Sequence, residues 1–287
     1  MGKAIITLDR STNKLNHHPD APVSPFIKWA GGKGQLLLQY KPLFPATFKR
    51  YFEPFLGGGA VFFRIKPRQA ILSDINEELI NAYAVIRDDV ENLIDLLETH
   101  KNDKDYYYSI RRLTIGNSLP IDRASRFIFL NRTCYNGLYR VNTKGDFNVP
   151  FGRYKKPLIF NADNLRNVSK QIKNAEIISG DFETILTRAK KPDFIYLDPP
   201  YQPTSKTAHF TNYAQNGFGE NEQQRLSEVF CNLSKLGCFL MLTNSDTSLV
   251  RELYADFNIT LVNARRTINC KVNGRKNVKE LVIRNYM

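Results

Sequence analysis

Cysteine and histidine are scarce in this sequence, four of each among 287 residues. Cys134, Cys231, Cys238 and Cys270 form no CxxC pair, and no histidine lies near them at ligand spacing. That argues against a structural zinc site, or any other metal centre, and leaves the cysteines as reduced, mostly buried thiols. No apolar run approaches the ~20 residues of a membrane-spanning helix. The opening MGKAIITLDRST lacks the basic start, apolar run and small-residue cleavage site of a secretory signal, so a cytoplasmic location is expected. Repeats and low-complexity tracts are missing too. Acidic residues are few relative to basic ones, 28 against 41, which gives a net charge of +13. A field of that sign favours polyanions, either nucleic acid or an anionic membrane surface.

What is present is an alternation of short apolar strands and helical stretches, a pattern that predicts an α/β fold built on a parallel sheet covered on both faces. Tyr51–Phe55 and Ala70–Ser73 read as strands, with a helix starting over Ala60–Ile65 between them. From Asn76 to His100, Leu79, Ile80, Tyr83, Ile86, Val90, Leu93, Ile94 and Leu97 recur at helical spacing. Further strands are expected at Glu176–Ser179, Phe194–Leu197 and Cys238–Thr243. Ile259–Val262 and Leu281–Ile283 suit an antiparallel pair at the sheet edge. The expected organisation is a polar N-terminal tail over 1–24, a catalytic domain over 25–104 and 171–287, and an inserted, partly helical domain over 105–170.

Two motifs carry chemistry. Phe52–Phe63, FEPFLGGGAVFF, sets glycines between a strand and a helix, where a ligand can approach the backbone closely. Asp74 ends the next strand, where an acidic side chain can accept hydrogen bonds from ribose hydroxyls. This geometry suits a dinucleotide or an adenosyl cofactor. The run is GGG after FEPF rather than GxGxxG, which points to S-adenosylmethionine, a sulfonium with no pyrophosphate to seat on a helix N-terminus. Asp181, after the following strand, reads as a partner for the cofactor's adenine and also as a helix N-cap, two compatible roles.

The second motif is IYLDPPY, Ile195–Tyr201. Here a buried strand ends in Asp198, Pro199, Pro200 and Tyr201. Consecutive prolines fix the backbone and leave carbonyls without local N–H partners. An adenine amino group is a poor nucleophile because its lone pair is delocalised into the ring. Acceptors for both hydrogens, the Asp198 carboxylate and the Pro199 carbonyl, favour a pyramidal and more reactive nitrogen, while Tyr201 can stack on a base taken out of the helix.

Together with PFIKWAGGK (Pro25–Lys33) and Phe129–Pro157, these motifs resemble the Dam-type, D12 class of DNA adenine methyltransferases, in the family's own order from about residue 25 to the C-terminus. The resemblance implies a Rossmann-like S-adenosylmethionine-dependent methyltransferase sheet with a mostly helical inserted DNA-recognition domain. It implies cofactor contacts from Trp29, Lys33, Asp74 and Asp198, completed by Glu53, Pro54, Phe55, Gly57, Gly59, Asp181 and Phe182. The implied reaction is methylation of adenine N6 in duplex DNA, usually at GATC, with base flipping. A restriction endonuclease would be a genetic companion at most; no stable protein partner is implied, and a monomer is expected.

From Asp122 to Phe160, eight basic residues and eight aromatics interleave with two acidic residues. Basic groups bind phosphates, and aromatics stack on or wedge between bases; Phe127, Phe129 and Leu130 read as core. In the family pattern Lys28 reaches the target sequence and Arg140 reads a guanine. Leu138 and Pro150 contact a thymine methyl, Tyr135 and Asn136 fill the gap left by the flipped base, and Tyr154 touches the adjacent DNA. The stretch Ala264–Met287 holds seven basic residues against one acidic, so Arg265, Arg266, Lys271, Arg275 and Lys276 are expected at phosphates. Three other readings compete: methylation of an RNA adenine or a glutamine amide, a DNA-binding module with a dead site, and a nicotinamide dehydrogenase. The basic insertion disfavours a protein substrate, and the intact DPPY disfavours the other two.

Overall fold

The computed structural model describes residues 23–116, 118–204, 218–265 and 277–287. Seven strands form one sheet in the order β3-β2-β1-β4-β5-β7-β6. They are β1 (Tyr51–Glu53), β2 (Ala70–Asp74), β3 (Glu176–Ser179), β4 (Phe194–Leu197), β5 (Phe239–Ser245), β6 (Asn258–Arg265) and β7 (Asn277–Arg284). β1 to β5 pair in parallel, while β7 runs antiparallel to both β5 and β6. The edge hairpin expected from Ile259–Val262 and Leu281–Ile283 is therefore present, with β7 inside β6 rather than outermost.

Neighbouring strand residues point to opposite faces, and both faces are buried. Tyr51, Leu72, Phe194, Tyr196 and Met241 enter one apolar layer. Phe52, Ile71, Ile195, Leu197, Leu240 and Leu242 enter the other. Two buried faces are why these strands read as continuous apolar runs.

Ten α-helices lie among the described residues: α1 (Leu37–Tyr40), α2 (Ala60–Ile65), α3 (Glu77–Asp88), α4 (Val90–Glu98), α5 (Lys104–Arg112), α6 (Pro120–Thr133), α7 (Ala162–Ile172), α8 (Phe182–Leu186), α9 (Glu220–Lys235) and α10 (Ser248–Leu253). The stretch Asn76–His100, read as one helical run, is two helices. Asp89 leaves helical geometry at φ −148°, ψ 52°, ending α3 and starting α4, so Leu79–Ile86 and Leu93–Leu97 reach the core from different axes. Asn76, Asp103, Asn161 and Thr247 cap their helices by accepting N–H bonds from Leu79, Tyr106, Asn164 and Val250.

The segment between β2 and β3 holds α3 to α7. α6 has two working faces: Ala124, Phe127 and Ile128 enter the main core, whereas Phe129 and Leu130 join Tyr107, Cys134, Phe147 and Val149 in a separate small core. His100 lies on this second core, stacked on Phe129 at 4.3 Å between centroids, with its ring nitrogens 2.9 Å from the Tyr106 hydroxyl and 3.0 Å from that of Ser125. Burial pushes its pKa down to about 4. Cys134 and Cys238 are buried thiols and Cys231 is half-buried. No helix among the described residues is long and apolar enough to cross a membrane.

Candidate active site

β1 and β4 are neighbours, yet the chain leaves β1 toward β2 and leaves β4 toward β5. This is the point of the sheet where the winding reverses, and ligands of open α/β sheets bind in the crevice at the carboxyl ends of such strands. The GGG turn follows β1 and the DPPY turn follows β4, so both chemical motifs converge on that crevice.

On the β1 side, Gly57 and Gly59 take φ of +46° and +67°. A Cβ on Gly57 would sit 2.6 Å from Trp29 Cδ1, and one on Gly59 2.8 Å from the Tyr83 hydroxyl. These glycines thus admit the Trp29 indole and a buried tyrosine against the backbone; Tyr83 donates to the Gly57 carbonyl at 3.1 Å. Asp74 Oδ2 accepts from Gly57 N–H and Oδ1 from Asn76 N–H, each at 3.0 Å, so the acidic end of β2 is fixed to the turn. Desolvation raises the Asp74 pKa against those backbone donors. Glu53, only 2% exposed, accepts from the Tyr51 hydroxyl at 2.8 Å, and burial lifts its pKa to about 8. Pro54 and Phe55 carry the chain from β1 into the turn. Phe55 packs on Phe182 at 5.4 Å, and Arg225 lies over the Phe182 ring at 4.3 Å. Asp181 caps α8 through Glu183 N–H and receives a two-pronged bond from Arg225 at 3.0 and 2.7 Å. Burial acts to raise its pKa, but the Arg225 pairing and the Glu183 and Thr184 N–H groups together outweigh it and the net shift is downward.

On the β4 side, Asp198 is held at both oxygens. Lys33 Nζ, on a residue 5% exposed, lies 2.7 Å from Oδ2, and the Thr243 hydroxyl donates to Oδ1 at 2.8 Å. Lys33 also donates to the Gly31 carbonyl at 2.7 Å and sits 4.8 Å from the Tyr201 ring centroid. Tyr201 donates to Glu280 of β7 at 2.8 Å. Gln223 and Asn244 bond the backbone of Pro200 and Gln202.

A second group forms where the segment before the sheet meets the insertion. Lys28 Nζ lies 4.3 Å from the Tyr154 ring centroid. The Asn131 side chain accepts from Lys28 N–H and donates to the Lys28 carbonyl, both at 2.8 Å, and donates to the Gly137 carbonyl at 3.3 Å. Gly137 has φ +62°, and a Cβ there would fall 2.3 Å from Lys28 Cδ. Tyr135 is 47% exposed and its N–H donates to the Pro150 carbonyl at 2.8 Å; Asn136 is exposed with φ +56°. Leu138 packs on the small core. Arg140 is exposed and its Nε donates to Asn148 Oδ1 at 2.6 Å. Arg265 ends β6, while Arg266, Lys271, Arg275 and Lys276 lie outside the described residues.

The structure thus gathers Lys33, Asp198, Pro199, Pro200 and Tyr201 at one end of the crevice and Trp29, Gly57, Gly59 and Asp74 beside them. Asp181 and Phe182 lie on the α8 side with Phe55. Lys28 pairs with Tyr154, Tyr135 bonds the Pro150 carbonyl, and Arg140 is exposed and bonded to Asn148. Sequence reasoning passed over Thr243, Asn244, Gln223, Arg225, Glu280, Asn131 and Asn148. A signal for the first three was present: Thr243-Asn244-Ser245 ends a buried strand at the ligand edge of the sheet. Gln223 stands on the helical face of Leu226, Phe230 and Leu233, where an apolar residue is expected.

The profile of the D12 class N6 adenine-specific DNA methyltransferases matches residues 29–268. A type II methyltransferase of Lactococcus lactis subsp. cremoris, M1.LlaDCHI, is 43% identical across 96% of this chain and 97% of that protein. The type II methyltransferase M.MjaIII of Methanocaldococcus jannaschii is 45% identical across 92% of this chain and 99% of its own length. A DNA adenine methylase of Haemophilus influenzae is 36% identical across 94% of each chain.

Proposed function

This chain belongs to the D12 class of N6 adenine-specific DNA methyltransferases, and from that premise we propose that it uses S-adenosylmethionine to methylate adenine in GATC of duplex DNA, on a base turned out of the helix. The observation that carries the reading is the pinned Asp198 carboxylate at the switch point of the sheet, beside the glycine turn and Asp74.

The residues present fit the cofactor. The glycine turn brings an indole and backbone into close approach, and Asp74 sets an acidic group beside that turn for a cationic ligand. Trp29, Lys33, Glu53, Pro54, Phe55, Gly57, Gly59, Asp74, Asp181, Phe182 and Asp198 would hold it. When bound, S-adenosylmethionine supplies a methyl carbon made electrophilic by the adjacent sulfonium. The protein does the rest by orientation. Asp198 and the Pro199 carbonyl accept the two N6 hydrogens and aim the nitrogen lone pair. Tyr201 gives the base a face to stack on, with its hydroxyl tied to Glu280 and Lys33 over one face of its ring. The 105–170 insertion serves as the target-recognition domain, with Lys28, Tyr135, Asn136, Leu138, Arg140, Pro150 and Tyr154 on DNA. Phosphate contacts from Arg265, Arg266, Lys271, Arg275 and Lys276 belong to the same reading, as do a monomeric state and a cytoplasmic location.

The test is labelled-methyl transfer to duplexes containing GATC, to duplexes with each base of that site changed in turn, and to the same duplexes with Asp198→Ala. Label on the GATC adenine only, lost in the variant, is the expected result. Label on a different sequence overturns the target assignment, and undiminished transfer by Asp198→Ala overturns the catalytic one.

A further inference from the structure

We propose that Gln223 and Asn244 are positioning residues for methyl transfer, a buried amide relay that sets the backbone of the Asp198–Tyr201 turn from behind. The inference rests on the reading of that turn as catalytic.

Pro199 and Pro200 have no N–H, so the turn cannot close on itself through backbone bonds and its polar groups need partners from elsewhere. Two side chains supply them. Gln223 Nε2, from the first turn of α9, donates to the Pro200 carbonyl at 3.0 Å. Asn244 Oδ1, from the end of β5, accepts from Gln202 N–H at 3.0 Å and from Ser245 N–H at 2.8 Å. Asn244 Nδ2 donates to Gln223 Oε1 at 3.0 Å, which closes the relay. The Ser245 hydroxyl donates to the Gln202 carbonyl on the same segment.

Both amides are 0% exposed. Burying an amide is costly unless its bonds are made, and an apolar side chain would serve the α9 face as well. Gln223 spends its donor on the turn rather than on its own helix, and Asn244 shares its acceptor between Gln202 of the turn and Ser245 of its own strand. The Pro199 carbonyl, the proposed acceptor for one N6 hydrogen, therefore lies between two fixed points: Asp198, held by Lys33 and Thr243, and Pro200–Gln202, held by the relay. Releasing the second point lets the 199–200 peptide rotate while the cofactor residues on β1 and β2 stay in place. Misplacement by about 1 Å costs on the order of 10²-fold in rate.

The experiment uses the full chain with Gln223→Glu, which keeps the acceptor for Asn244 and loses the donor to Pro200. Asn244→Asp keeps the acceptor for Gln202 and loses the donor to Gln223. Gln223→Met fills the same space and loses both bonds. Single-turnover transfer to a duplex substrate is read beside S-adenosylmethionine affinity by calorimetry, KM for DNA and melting temperature, with Asp198→Ala in parallel. The expected result is a fall of about 10- to 100-fold in the transfer step, with cofactor affinity and DNA KM within about twofold of the parent. The Gln223→Met, Asn244→Asp pair should lose less than the product of the single losses, because the two act through one turn. Folded Gln223 variants with undiminished transfer overturn the inference. Cofactor affinity, KM and rate falling together overturn it as well, since that marks general loosening. If Asp198→Ala is itself fully active, the underlying reading fails instead.

Discussion

Replacing Thr243 by valine changes almost no volume and deletes one hydroxyl. That hydroxyl has a single proton, donated to Asp198 Oδ1 at 2.8 Å, and an oxygen 3.4 Å from the Tyr196 hydroxyl, so Tyr196 is left as its donor. A hydrogen bond to a charged acceptor contributes ~1.5–3 kcal/mol. Asp198 keeps Lys33 at 2.7 Å, and its side chain is 20% exposed, so water can replace part of the lost bond. The lower figure, ~1.5 kcal/mol, therefore applies, and it corresponds to about tenfold in rate if the bond serves to aim the carboxylate. Stability should fall as well, because the buried Tyr196 hydroxyl loses its partner at a cost of ~1–3 kcal/mol. Thr243→Ser keeps the hydroxyl and gives up only a methyl. Single-turnover transfer at saturating DNA and cofactor should be about tenfold slower in Thr243→Val and near the parent in Thr243→Ser, with the melting temperature lowered in both. A valine variant that melts early yet transfers within twofold of the parent would refute the aiming role. A serine variant as slow as valine would show that packing sets the rate.

Three further outcomes follow from named contacts. Glu53 is neutral in the fold up to about 8, whereas in the unfolded chain it loses its proton near 4.5. Across that window the native state holds the extra proton, so stability declines as pH rises and levels off above about 8; the slope from one such group is at most ~1.4 kcal/mol per pH unit. Urea unfolding across pH should show the decline reduced in Glu53→Gln, and an unchanged slope refutes the assignment. Arg140→Ala should relax discrimination at one base by ~1–3 kcal/mol, read as transfer to duplexes substituted in turn; an equal loss on every sequence contradicts base reading. Asn131→Ala frees both backbone groups of Lys28 and should lower stability by ~1–3 kcal/mol while weakening discrimination at one base, the one proposed for Lys28. Unaltered base preference in the folded variant removes Asn131 from target reading.

The central parallel strands were legible in sequence because burial on both faces writes them as apolar runs, as in Phe194–Leu197. DPPY was legible because its chemistry is local: an acid, two prolines and an aromatic in succession. The break at Asp89 was not, since Val85 and Ile86 before it and Leu93 and Ile94 after it keep the spacing of one helix, and only the backbone angles of Asp89 separate them. The supporting side chains were hidden for another reason. Thr243 meets Asp198 across 45 residues of chain and Asn131 meets Lys28 across 103, so no spacing rule links them. Gly57 combined both situations. Its position in a strand–helix turn was readable, but the group approaching it, the Trp29 indole, came from a segment 28 residues upstream of the turn.

The place of β7 between β5 and β6 sets an order on assembly during synthesis. β6 leaves the ribosome before β7, yet its partner in the sheet is β7, so it has no edge to join until residues 277–284 emerge. Asn285, which bonds Leu240 N–H and the Cys238 carbonyl, seals the same seam later still. Glu280, the anchor of the Tyr201 hydroxyl, arrives with that strand, 79 residues after the tyrosine it holds. A nascent chain can present the DPPY turn early, but the tyrosine gains its anchor only once residues 277–284 have emerged.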